Sequence, residues 1–152
     1  MKRQGPLFVI GQFILIVLLI VSPSIRNVAP GMKLLGFVIQ IAGLLLVIVG
    51  GINLRKSLTA NPEPRKGGTF VVTGLYKWVR HPMYLGLIVF GIGITIQRES
   101  ILAEIETLFL AILLHFKRLY EDQLLLEKYP EAAEYQQRVG AFIPKTDGKK
   151  SK

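Results

Sequence analysis

The chain contains no cysteine, and that absence excludes disulfides, thiolate nucleophiles and thiolate-held metals together. Histidine is nearly as scarce, with only His81 and His115. A zinc site would need carboxylates for its remaining ligands, and the spacing around these two suggests none, so no metal is expected. Gly67-Gly68 and Gly74 do not form Gly-x-Gly-x-x-Gly, and no strand–turn–helix context surrounds them, which leaves a dinucleotide-binding fold unsupported. Acidic residues are few, 10 against 19 Lys and Arg, for a net charge of +9. No soluble basic segment exists to carry nucleic acid, so the excess is read as topology and attraction to anionic headgroups.

What the chain does have is apolar length. At 152 residues, 51% of them apolar, it reads as a single domain, 1–152. Leu7 to Ile25 is a run of 19 residues without a charge, and Leu34 to Leu54 is a second of 21. Each matches the ~20 residues that cross a hydrocarbon core of about 30 Å. The first follows Lys2 and Arg3 as a signal peptide would. Its apolar run is too long for one, and no small-x-small cleavage site follows, so it is read as a retained span. Met83 to Gln97 and Ile101 to His115 are 15 residues each and read as a tight helical hairpin. Glu104 and Glu106 are expected at headgroup depth near the outer end of the fourth run. The expected fold is an all-α membrane protein. Four transmembrane helices cover about 7–25, 34–54, 83–97 and 101–115, and a cytoplasmic amphipathic helix follows.

Charge orients these spans. With four crossings, the N-terminus, the 55–82 loop and the C-terminal tail share one side, which carries all the Lys and Arg except Arg26, Lys33 and Arg98. The positive-inside rule puts both termini of this multi-pass protein in the cytoplasm. Arg26 to Lys33 reads as a short turn centred on Pro30-Gly31. The 55–82 connection is long enough to be functional, and Thr69 to Thr73, Tyr76 and Trp78 argue for an ordered loop against the membrane surface. Residues 116–144 read as cytoplasmic helices: a continuation of the fourth span that ends or kinks at Pro130, then a short piece from Glu131 to Val139. Lys117–Glu121 and Arg118–Asp122 are i,i+4 pairs, which on spacing alone read as a solvated face. Residues 145–152 read as a disordered basic tail. Gly50-Gly51, Gly86, Gly91 and Gly93 are expected to let helices approach closely.

The densest chemistry lies in Gly74-Leu-Tyr-Lys-Trp-Val-Arg80-His81-Pro82-Met83-Tyr84-Leu-Gly86, where the polar loop enters the third span. Pro82 suits a first helical turn, because its missing N–H would be unpaired there anyway. An interfacial belt would explain Tyr76, Trp78 and Tyr84 with a snorkelling Arg80. A belt does not require imidazole, guanidinium and two tyrosines to converge at one point. The pattern Gly74-x-Tyr76-x-x-x-Arg80-His81-Pro82-x-Tyr84-x-Gly86 resembles the hallmark of the isoprenylcysteine carboxyl methyltransferases and the related phospholipid methyltransferases. Those are integral-membrane enzymes that use S-adenosylmethionine. The resemblance continues in Glu121-Asp122-x-x-Leu125, Tyr129-Pro130-Glu131, Tyr135 and Phe142-Ile143-Pro144, and covers about 61–144. Two positions depart from the pattern. Asp122 stands where the family usually has a second Glu, and Lys117, with Arg118 beside it, stands where an arginine is expected.

The resemblance implies an S-adenosylmethionine-dependent methyltransferase. Asn61, Gly68, Thr69, Phe70, Val71 and Tyr76 would line the donor pocket from the loop. His81, Pro82, Met83 and Tyr84 would close it, and Glu121 would hold the cofactor from the cytoplasmic helix. Lys117 or Arg118 would contact the substrate, so Arg80, His81, Lys117 and Arg118 are the candidate catalytic residues. Methyl transfer from a sulfonium mainly needs donor and acceptor to be positioned, and aromatic faces hold such a cation well. A carboxylate acceptor needs an orienting cation but no base, whereas an amine or thiol acceptor would make His81 the first candidate for proton removal. The implied partners are membrane lipids and a lipophilic acceptor, with a prenylcysteine-like carboxylate and a phospholipid amine foremost; oligomeric state is open. Two other readings stand beside this one: an NADPH-dependent membrane reductase related to sterol reductases, which carry a similar Arg-His-Pro-x-Tyr element, and a non-catalytic small membrane protein that binds anionic lipid.

Overall fold

The computed structural model describes residues 4–24, 27–59 and 67–145. It has five helices and, among the described residues, no strand: α1 Gly5–Val21, α2 Pro30–Leu54, α3 Pro82–Arg98, α4 Ile101–Lys128 and α5 Ala132–Arg138. The turn expected around Pro30-Gly31 is instead the first turn of α2. Proline at this position has no N–H to lose and a φ already suited to a helix, and the Ala29 carbonyl accepts from the Met32 and Lys33 N–H groups. Among the described residues, α2 is the one helix long and apolar enough by itself to cross a membrane; α1 and α3 are apolar helices of 17 residues.

Glycine sets the closest contact of the bundle. Gly36, Gly43 and Gly50 recur every seven residues along the buried stripe of α2, and Gly86 and Gly93 answer them on α3. A Cβ on Gly43 would lie 2.5 Å from the Phe90 nitrogen and 2.6 Å from the Gly86 carbonyl, so the two backbones touch directly. Gln40 Nε2 donates to Gln97 Oε1 at 2.9 Å along the same seam.

Only Glu99 and Ser100 separate α3 from α4. Glu99 takes a left-handed conformation, and Ser100 caps α4 by accepting from the Ala103 N–H. Thr95 Oγ1 closes the hairpin by donating to the Ala103 carbonyl at 3.2 Å. The core is Leu19, Ile94, Ala103, Leu110 and Leu114, where α1 joins the hairpin from the α4 side. Phe8 of α1 packs on Tyr120 of α4, with ring centroids 5.9 Å apart. The packing order is therefore α2, α3, α4, α1.

The fourth run continues into one long helix that ends near Pro130 as expected, and two expectations about its side chains change. The helix runs unbroken for 28 residues and stops before Tyr129-Pro130, where proline disfavours a helical predecessor. Lys117 and Asp122, read as part of a solvated face, are buried. Glu106 is buried too, with Oε2 unpaired among the described residues, because it follows Ala103 by one turn on the inward side, while Glu104 is exposed. Beyond α5, the expected tail lies outside the described residues except for Lys145. Its Nζ donates to the Gln136 and Gln137 carbonyls, so Lys145 is held to the end of α5.

Candidate active site

Pro82 organises the site locally. As the first residue of α3 it bars its predecessor from the helical region, and His81 stands outside the helix at φ −125° and ψ 60°. The main chain there is captured by the segment after α5. The Arg80 N–H donates to the Gly140 carbonyl at 2.9 Å, and the His81 N–H to the Ala141 carbonyl at 3.1 Å. The imidazole is thus held at the end of α3, 5% exposed, with its ring free to meet α4.

Asp122 is the hub of the charge network. His81 Nε2 lies 2.9 Å from Asp122 Oδ1, and a carboxylate only accepts, so Nε2 carries the proton. Arg80 and Arg118 reach Asp122 Oδ2 at 3.3 and 3.5 Å. On the other side of the ring, Nδ1 lies 3.6 Å from Glu121 Oε2, which also accepts from the Tyr84 hydroxyl at 2.7 Å. Tyr84 stacks on His81 with its centroid at 5.3 Å and an interplanar angle of 7°. Each polar end of the imidazole therefore faces its own carboxylate.

The loop side is held by aromatic hydroxyls. Asn53 Oδ1, near the end of α2, accepts from the Leu75 N–H at 2.9 Å; Gly74 permits this approach at φ +62°, where any side chain would strike Asn53. The Tyr129 hydroxyl donates to the Gly68 carbonyl at 2.9 Å, and Tyr135 to the Tyr76 carbonyl at 2.6 Å. Burial pushes the Tyr76 and Tyr135 phenols above their ordinary range, so both remain neutral. Phe70 stacks on Tyr129 at 5.1 Å and meets Tyr135 edge-on at 5.3 Å. The result is an aromatic enclosure with a carboxylate, Glu121, on one side.

Lys117 sits deeper, 1% exposed, and does not pair with Glu121 as its spacing suggested. Its Nζ donates to Gln12 Oε1 at 2.6 Å and lies 5.0 Å from the Tyr84 ring centre. Burial lowers this ammonium to about 8, against an opposing pull from Glu121.

These groups line one cavity of about 440 Å³. Gly68, Thr69, Phe70, Val71, Tyr76, Arg80, His81, Met83, Tyr84, Lys117 and Glu121 border it. Pro82 does not: it is buried against Gly50 as the first turn of α3. Arg118 does not either, because Asp122 draws it aside and it lies 5.7 Å above the Phe142 ring centre. Trp78 is 63% exposed and takes no part, while Asn61 lies outside the described residues. Asp122, Tyr129, Tyr135 and Gln12 also line it and are not among the site residues expected from sequence. The available signal for Gln12 was a lone amide in an otherwise apolar run.

The chain is 37% identical over 83 residues to the cobalt-zinc-cadmium resistance protein CzcN of Cupriavidus metallidurans, which covers 53% of this chain and 38% of that protein. It is 35% identical over 134 residues to the protein-S-isoprenylcysteine O-methyltransferase of Tribolium castaneum, covering 80% of this chain and 47% of that protein. The chain thus spans less than half the length of the curated relatives it matches. The sequence pattern of the phospholipid methyltransferases matches residues 32–132, from the first turn of α2 to the start of α5 and through every group of the charge network. On that match, the chain belongs to the phospholipid methyltransferase family.

Proposed function

We propose that this protein is an integral-membrane methyltransferase that uses S-adenosylmethionine and acts on a lipophilic acceptor. The observation that carries the reading is one continuous cavity, polar and aromatic where the loop meets α4 and apolar between the helices, where Phe13, Ile16, Val47, Leu54 and Leu87 line it. Its ~440 Å³ falls within the range of small-molecule sites. The donor set fits the cofactor: aromatic faces for a sulfonium, and the Glu121 carboxylate for amino or ribose groups. When bound, S-adenosylmethionine supplies an electrophilic methyl group. Gly68 to Val71, Tyr76 and Glu121 hold it at the cytoplasmic end, and Phe70, Tyr129 and Tyr135 shut out water.

For a prenylcysteine-like carboxylate, the Lys117 ammonium orients the reacting oxygen and no proton moves. For a phospholipid amine, His81 Nδ1 takes the proton, since Nε2–H is committed to Asp122. Four crossings with both termini in the cytoplasm fit the charge count, and the apolar outer faces of α1 and α2, including Leu7, Phe37 and Ile52, suit lipid rather than water.

The test is equilibrium binding of S-adenosylmethionine to the protein in detergent. His81→Ala and Glu121→Gln are each expected to weaken binding at least tenfold, the scale of one lost hydrogen bond to a charged group. Wild-type affinity in both variants would remove the donor from this end of the cavity. If Lys117 orients an acceptor carboxylate, kcat/KM for the acceptor falls as pH rises through about 8, where the ammonium loses its proton. Lys117→Arg, charged at all these values, is expected to abolish that alkaline limb, and an unchanged limb would assign it to another group.

A further inference from the structure

Gln12 belongs to α1, which lies before the residues matched by the family pattern. Gly5, Gln12 and Leu19 are its buried residues, spaced by sevens. That stripe carries Gln12 inward, and it is only 8% exposed. An amide turned into a bundle of apolar helices needs a partner, and among the described residues that partner is Lys117, 105 positions away. Lys117 in turn owes its place to two contacts, the Gln12 carbonyl oxygen and the Tyr84 face. An ammonium carries three donors, and these contacts leave capacity for one further acceptor. Both side chains border the cavity where its polar end gives way to Phe13 and Ile16.

We propose that Gln12 is a positioning residue: it holds the Lys117 ammonium at the junction of the two halves of the cavity, where the ammonium receives an anionic oxygen at the reacting end of the acceptor. The inference rests on the methyltransferase reading and deepens it by choosing the acceptor chemistry. A cation fixed at the junction attracts a carboxylate and repels a protonated amine. Among the described residues, the titratable groups that act on Lys117 are Tyr84, whose ring faces it from α3, and Glu121 on α4. The sequence of α1 contributes none. Gln12 is thus the neutral partner that orients Lys117 without cancelling its charge.

Protection of Lys117 from acetylation tests this without requiring turnover. The full chain in detergent is treated with acetic anhydride across pH, and Lys117 modification is read by mass spectrometry. The probes are N-acetyl-S-farnesylcysteine, a carboxylate on an isoprenoid chain, and its methyl ester. The free acid is expected to protect Lys117 and the ester not to. Gln12→Leu should raise the concentration for half protection about tenfold and move the labelling midpoint to lower pH. Gln12→Glu, nearly isosteric, should move the midpoint to higher pH and keeps the test available if the leucine variant fails to fold, which its melting temperature reports. Equal protection by acid and ester, or midpoints unchanged in both variants, would overturn the assignment. The methyltransferase reading fails separately, through absence of S-adenosylmethionine binding to the wild-type chain.

Discussion

Asp122→Ala is expected to lower stability by about 3–5 kcal/mol and to eliminate the proposed methyl transfer, because it strands three groups at once. The Asp122 side chain is 9% exposed, and the Arg80 and Arg118 side chains that reach it are 11% and 16% exposed. Removing one partner of a buried pair leaves uncompensated charge, and that is what the figure describes. Here two guanidiniums would face one another, with the Nε atoms of both already buried and unpaired. His81 would also lose the acceptor that sets its tautomer and ring orientation. Asp122→Asn separates these effects. It retains an oxygen for Nε2–H and loses only the charge, so it should keep more donor binding than the alanine variant while remaining destabilised. Thermal unfolding in detergent beside donor binding reads both. A wild-type melting temperature for Asp122→Ala would remove the hub from the account.

Gly43→Leu is expected to destabilise by about 3 kcal/mol, the upper end of overpacking. The obstacle is backbone: the Phe90 nitrogen and the Gly86 carbonyl cannot rotate away as a side chain would. Relief requires α2 and α3 to separate, which also pulls Asn53 from the Leu75 N–H and loosens the turn that presents Arg80 and His81. Donor binding should therefore fall together with stability. Gly51→Ala provides the contrast, since a Cβ there meets only the end of Leu58 at 3.8 Å. It is expected to be neutral or to stabilise by up to about 1 kcal/mol through helix propensity. An unchanged or raised stability in Gly43→Leu would mean that helix propensity, not close approach, governs these glycines.

Much of this architecture was legible along the chain. Both ends of α3 and the start of α4 agree within a residue, because an apolar run bracketed by Pro82 and by Glu99-Ser100 has unambiguous ends. Gly86 and Gly93 read correctly as points of close approach. Pro30-Gly31 misled, since the same pair that breaks a chain also opens a helix when proline comes first. Lys117 and Arg118 misled in a different way. Their i,i+4 spacing to Glu121 and Asp122 describes one helix in isolation, and it holds for Arg118 alone once α1 and α3 close over α4.

The sequence by itself determined the local chemistry of the site: Pro82 holds His81 out of the helix, and the family pattern puts the acidic pair on the neighbouring helix. These are short-range effects, carried by backbone sterics and by residue order. Which side chains meet was decided only by tertiary structure. His81 finds Asp122 across 41 positions, and Lys117 finds Gln12 across 105. The reason is physical. Helices that are apolar on every side carry almost no record of which face will turn inward, so the partner of a buried charge is chosen when the glycine seam and the core pack.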